Sequence, residues 1–239
     1  AGSLAAVGGK GLFVKEIQEA LLAGRADLAV HSAKDLPAQT PPELTIAAVP
    51  QREDPRDALV ARVSGSCLAE LPRGARVGTG SVRRSAQLLR QRPDLEIVPL
   101  RGNVPTRLRK LDEQQLDAVV LACAGLARLG LASRIHERIS ESVLLPAVGQ
   151  GVLAIEARRG AALADDLKLL EHPATALEFA AERSFQARLG GDCQVPIAAR
   201  ARAEGDALWL CGLVISPDGT RASEARLAGS GSEARELGL

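Results

Sequence analysis

The stretch Arg76–Arg92, RVGTGSVRRSAQLLRQR, runs from a strand end through a glycine-bearing turn into an amphipathic helix. Val77 leads into Gly78-Thr79-Gly80-Ser81, and the helix that follows is expected to turn Val82, Ala86 and Leu89 inward. The same alternation continues outward in both directions. Downstream, residues 96–100 (EIVPL) read as a strand whose proline suits a sheet edge. Asn103 is a good N-cap for a helix with Val104, Leu108 and Leu111 on its apolar face, and residues 117–123 (DAVVLAC) read as a buried strand. Upstream, residues 12–23 read as a helix burying Val14, Ile17 and Leu21, while 28–32 (LAVHS) and 44–49 (LTIAAV) read as strands. The polar segment 50–57, with two prolines, has the character of a hinge or crossover. Residues 152–157 read as a strand and 161–171 as a helix. Thr175 with Glu178 reads as a capping box for a helix burying Leu177, Ala181, Phe185 and Leu189. Beyond residue 194 the pattern changes to three strands, 195–203, 207–215 and 221–228, with Pro217-Asp218-Gly219 as a turn. Short apolar strands alternating with amphipathic helices give an α/β fold, with a small α+β unit at the end.

The chain of 239 residues has room for one large domain or two to three small ones. Hydrophobic residues make up 46%, but aromatics only 2%, so the cores are aliphatic and a base-stacking nucleic-acid surface is disfavoured. A net charge of +1 gives no general attraction to nucleic acid or to an anionic membrane. No apolar run reaches the ~18 residues of a membrane span, and no signal peptide is visible. Cys67, Cys123, Cys193 and Cys211 form no C-x-x-C pair, and His31, His136 and His172 lie far apart. No metal site is expected, and Cys67, Cys123 and Cys211 read as free thiols of a reducing, cytoplasmic compartment.

Charge is concentrated between Ser81 and Lys110, where seven arginines and Lys110 face only Asp94 and Glu96. Arginine's planar fork matches a carboxylate or phosphate in two parallel hydrogen bonds. Arg90, Arg92 and Arg109 read as a solvated helix face. Arg83 and Arg84 differ, because the helix dipole disfavours two cations in a first turn unless an anion is bound there. A dinucleotide fingerprint is excluded, since Arg83 occupies the third glycine's place, and no P-loop sequence exists. Lys34 and Asp35 follow a strand, at the edge where open α/β folds bind ligands, although a plain surface pair is the simpler reading. Cys193, in Gly190-Gly191-Asp192-Cys193-Gln194-Val195-Pro196, reads either as an activated thiol in a tight loop or as an inert buried one.

Taken together, these segments resemble the porphobilinogen deaminase (hydroxymethylbilane synthase) family. The matching motifs occur in order along nearly the whole chain: Val7–Glu16, His31–Pro37, Arg52–Ala58, Gly78–Arg84, Arg101-Gly102-Asn103 with Thr106-Arg107-Leu108, Ala124–Gly130, Leu145–Gly151 and Cys193–Ile197. The resemblance implies three domains. The first two (1–50 with 152–170, and 56–146) would be periplasmic-binding-protein-like with a cleft between them, and the third (172–239) a small α+β domain. It implies a dipyrromethane cofactor held by a thioether to Cys193, and polymerisation of four porphobilinogen molecules into hydroxymethylbilane with loss of ammonia. Asp35 would be the catalytic carboxylate. Arg83, Arg84, Arg101 and Arg107 would bind pyrrole acetates and propionates, assisted by Lys34, Thr79, Ser81, Arg128 and Gln150. The resemblance further implies a cytoplasmic monomer of tetrapyrrole (heme) biosynthesis, a small-molecule substrate, and neither nucleic acid nor membrane as partner.

Against the family pattern the first domain reads as incomplete at its N-terminus and the third as shortened at its C-terminus. Gly80 stands where serine is commoner, and Asp192 where glycine is usual. Two rival readings are a non-catalytic binding protein of the same architecture, which gives Cys193 and Asp35 no role, and an RNA-binding surface on Ser81–Lys110.

Overall fold

The structure is a computed structural model that describes residues 9–63, 65–190 and 196–238. Its first elements are helix α1 (Gly9–Leu22) and strands β1 (Leu28–Ser32) and β2 (Leu44–Ala48). The chain then crosses to β3 (Asp57–Ala61), β4 (Arg76–Thr79), α2 (Val82–Gln91), β5 (Glu96–Pro99), α3 (Val104–Glu113), β6 (Ala118–Ala122), α4 (Cys123–Arg128) and β7 (Glu137–Ile139). It returns to the first unit with β8 (Leu153–Arg158) and α5 (Ala164–Lys168). The last elements are α6 (Pro173–Arg188), β9 (Ile197–Glu204), β10 (Ala207–Ile215), β11 (Ala222–Ser230) and α7 (Ala234–Leu237).

These strands form three sheets. β1-β8-β2 is antiparallel, β5-β4-β6-β3-β7 is mixed, and β11-β10-β9 is antiparallel. β3 and β6 are buried along their whole length, because both faces of the five-stranded sheet are covered. Leu59, Ala61, Ala118 and Val120 enter one core, with Leu88 of α2. Ala58, Val60, Val119 and Leu121 enter the other, with Leu108 and Leu111 of α3. β5 lies at the sheet edge, where the N–H that Pro99 lacks is not needed by a further strand. Helix α6 joins two units. Phe179 packs with Val14, Ala33, Leu36 and Val152 of the first, and Ala181 with Leu208 and Leu210 of the third.

Four expected helix faces or boundaries shift. Among the described side chains of α1, those buried are Val14, Gln18 and Leu21, while Ile17 is 39% exposed. Gln18 turns inward because its Nε2 donates to buried Glu156 Oε1 at 2.9 Å. In α2 the buried face carries Arg83, Arg84, Ala86, Gln87 and Leu88, with Val82 exposed. Helix α6 starts before the expected Thr175–Glu178 box. Pro173 takes a first-turn position, where its missing N–H costs nothing, and the ring nitrogen Nδ1 of His172 accepts the Thr175 N–H at 3.2 Å. The helix expected over 161–171 is confined to the short α5.

Candidate active site

The first residue of β3 sets the site. Asp57 is fully buried and meets two guanidinium groups of the facing helix. Its Oδ2 accepts from Arg83 Nη2 at 2.6 Å, and its Oδ1 accepts from Arg84 Nε at 2.9 Å and Nη2 at 2.7 Å. Gln150 Nε2 donates to the same Oδ1 at 2.9 Å and also to Pro55 O. Burial alone would raise the Asp57 carboxyl, but the two arginines hold it down at about 2. Burial pushes Arg83 down; Asp57 opposes this and Arg84 adds to it. Two first-turn arginines call for an anion, and the protein supplies one in Asp57. One carboxylate against two guanidiniums leaves a positive excess. Arg83 Nε is buried with no hydrogen-bond partner among the described residues.

The opposite wall comes from the first sheet. Lys34 and Asp35 lie half-buried in a single helical turn directly after β1. This turn is fixed by the Ala33 N–H donating to Val152 O and the Leu36 N–H donating to Ala33 O. The two walls meet electrostatically at Arg107 of α3. Burial lowers its pKa, nearby Arg84 lowers it further, and Asp35 acts in the opposite direction. Arg107 is aimed by its Nε donating to Gly102 O at 2.7 Å. That helix is capped as expected, with Asn103 Oδ1 accepting the Thr106 N–H at 2.9 Å. Thr79 is buried at the end of β4, and Ser81 caps α2. Arg101 is exposed, and its carbonyl accepts from Lys110 Nζ at 3.1 Å. Arg128 Nη2 donates to Gly151 O at 2.7 Å, tying the end of α4 to the returning chain.

The comparisons bear on this assembly. Residues 1–166 match the family model described as porphobilinogen deaminase, dipyrromethane cofactor binding domain, and residues 176–239 match the porphobilinogen deaminase C-terminal domain. The chain belongs to the porphobilinogen deaminase family. A porphobilinogen deaminase of Roseiflexus sp. (strain RS-1) is 56% identical over 241 residues, covering 98% of this chain and 77% of that protein. One of Geobacter metallireducens is 50% identical over 237 residues, covering 99% of this chain and 74% of its own length. One of Sorangium cellulosum is 54% identical over 241 residues, covering 99% and 80%. Among solved structures, a TRAP periplasmic solute binding protein from Desulfovibrio salexigens aligns with 65% of this chain and 56% of its own at 13% identity, with a TM-score of 0.41. The fold given above rests on this chain's own sheets.

Within this member of the porphobilinogen deaminase family, the part matching the cofactor-binding domain contains Lys34, Asp35, Thr79, Ser81, Arg83, Arg84, Arg101, Arg107, Arg128 and Gln150. Cys193 lies in the part matching the C-terminal domain and outside the described residues, as does Asp192. The other three cysteines are free, and burial pushes the Cys123 thiol up to about 12, with Asp54 and Asp57 adding to the rise. His31 is buried, its Nε2 lying 3.0 Å from buried Glu156 Oε2. At Gly80 a Cβ would sit 2.4 Å from Leu100 O, so a side chain there requires that backbone to shift. Sequence reasoning passed over Asp57 and Arg52. Arg52 grips Glu182 in two bonds of 2.7 and 3.1 Å and donates to Gln150 O at 2.9 Å, bracing the residue that steadies Asp57. The available signal was a carboxylate opening the apolar run DALVA, which is a burial pattern that demands a cation nearby.

Proposed function

We propose that the chain joins four porphobilinogen molecules into hydroxymethylbilane with loss of ammonia, building on a dipyrromethane attached through Cys193. The observation that carries this reading is the convergence of Asp35 from one sheet with Arg84 and Arg107 from another. It gives one carboxylate facing a surplus of guanidiniums. The residues fit a pyrrole polycarboxylate. Arg83 Nε is a buried donor awaiting an acceptor, and the Asp57–Arg83–Arg84 cluster retains a positive charge. Acetate and propionate groups would complement both. Arg83, Arg84, Arg101 and Arg107 would hold them, with Lys34, Thr79, Ser81, Arg128 and Gln150 assisting. The attached dipyrromethane would supply a pyrrole carbon nucleophile.

Asp35 would move a proton to the departing amine and offset the positive charge developing on a pyrrole nitrogen. Arg107, which lies within the field of Asp35, would draw substrate carboxylates in beside it. The three sheets would correspond to three domains, 1–50 with 152–170, 56–146 and 172–239, acting as a cytosolic monomer.

Intact mass after incubation with porphobilinogen tests the reading. The expected result is a covalent excess of two pyrrole units that Cys193→Ser abolishes. Asp35→Asn should keep the excess while losing about 10²–10⁴-fold in kcat. A mass equal to the sequence alone after incubation would sink the proposal.

A further inference from the structure

A second cleft lies away from Asp35, between the five-stranded sheet's helix α2 and the far face of the β9–β11 sheet. In β10, Leu208 and Leu210 pack inward beneath α6 and α7. Strand alternation therefore sends Trp209 and Cys211 to the opposite face. Their cross-strand partners share that face: Arg202 and Ala228 beside Trp209, Arg200 and Arg226 beside Cys211. One end of this face is closed, because Leu213, Ile215 and Ala198 pack against Ala86 of α2 and Leu145. The other end stays open and encloses a cavity of about 940 Å³.

Six arginines line it: Arg56, Arg90, Arg138, Arg200, Arg202 and Arg226. Asp54, Glu141 and Glu224 line it with them, and Arg200 also pairs with Glu178 beyond the lining at 2.8 Å, which leaves an excess of two positive charges. The three carboxylates are already engaged. Asp54 pairs with Arg56 at 2.8 Å, Glu141 with Arg202 at 2.9 Å and Glu224 with Arg226 at 3.0 Å. The Arg90 side chain makes no hydrogen bond or ion pair among the described residues. Beside these charges, Trp209 is 51% exposed, and Leu227 adds apolar surface. An indole face lying open among guanidiniums offers stacking to a flat ring while the guanidiniums reach its anionic rim. The volume is that of a small-molecule site.

We propose that this cleft binds a flat aromatic anion carrying several carboxylate groups. The proposal does not depend on the chemistry assigned to Asp35. A bound molecule would bridge α2 and the third sheet, adding to the Ala86–Leu213 packing and to the Glu141 ion pairs with Arg200 and Arg202 that already join the two bodies.

The chain has one tryptophan and no tyrosine, so its intrinsic fluorescence reports from the cleft itself. The probe is benzene-1,2,4,5-tetracarboxylate, titrated by fluorescence and by calorimetry, with inorganic pyrophosphate as the anion lacking a ring. The expected result is a saturable change in Trp209 emission with Kd on the order of 100 µM. Arg202→Ala with Arg226→Ala should weaken it at least about tenfold, and Arg107→Ala should leave it unchanged. Arg202 and Arg226 are 57% and 73% exposed in their side chains, so removing them spares the fold, which circular dichroism would verify. Absence of saturable emission change and of heat up to ~1 mM probe would overturn the proposal. So would binding lost in Arg107→Ala and kept in the double variant, which would place the probe in the other cleft. Pyrophosphate binding as tightly as the ring compound would remove the aromatic requirement and overturn the class assigned.

Discussion

Asp57 shows how one buried carboxylate organises a site. Its pKa falls from 3.8 to about 2 in the folded protein because Arg83 and Arg84 outweigh the cost of burial. A depressed carboxylate stabilises the fold at pH values above its unfolded pKa. That contribution disappears as pH falls from about 4 through 2. Asp57→Asn keeps the shape but strands two buried guanidiniums, so a loss of about 3–5 kcal/mol is expected in urea unfolding at neutral pH. The variant's stability should also vary less between pH 4 and 2 than that of the parent. An unchanged midpoint would show that the arginines find other partners. Local sequence could not assign Asp57 this role, since its partners lie in a helix reached only after the intervening β4. The arginines themselves were legible, because first-turn cations demand an anion. Asp35 and Lys34 were legible as a strand-end pair, whereas the opposing field of Arg107 exists only after two sheets are brought together.

Among the elements, apolar periodicity succeeded where a single core dictates the buried side. β1, β6, β10 and the Asn103-capped α3 appear as expected. It failed in α2, whose inward face is polar because Asp57 lies beneath it, and in α1, where Glu156 draws Gln18 inward. Periodicity counts apolar residues, so a face buried through hydrogen bonds is invisible to it. The segment returning from β7 to β8 gives a direct test of backbone design. Gly151 has φ +86°, and a Cβ there would lie 2.3 Å from Glu53 O. Both conditions forbid a side chain, so Gly151→Ala should cost about 1–3 kcal/mol and displace the Glu53 N–H bond to Gly151 O. Arg128, which donates to that same carbonyl, would lose its anchor. Denaturant unfolding measures the first effect, and substrate KM follows the second.

At the scale of the molecule, Glu182 of α6 holds three regions at one point. Its carboxylate accepts from Arg52 on the outward crossing between β2 and β3, from the Gly149 N–H on the return crossing at 2.8 Å, and from the Ala201 N–H of β9 at 2.9 Å. Arg52 is nearly buried and also reaches Glu178, whose own Oε2 accepts from Arg200 at 2.8 Å. No sequence pattern announces such a junction, because Arg52 lies 130 residues from Glu182 and each of the two reads alone as a surface charge. Glu182→Gln retains one acceptor oxygen but removes the negative charge, leaving Arg52 buried with Glu178 alone. It also puts an amide donor opposite the backbone N–H groups. The expected cost is about 3–5 kcal/mol, and its distribution is the informative part. The five-stranded sheet keeps both of its own cores, whereas the third sheet loses a tie to each crossing. Hydrogen exchange should therefore accelerate in β9 and β10 while β3 and β6 stay protected. Equal acceleration in both sheets would mean that the molecule opens as one cooperative body and that Glu182 merely adds to its total stability.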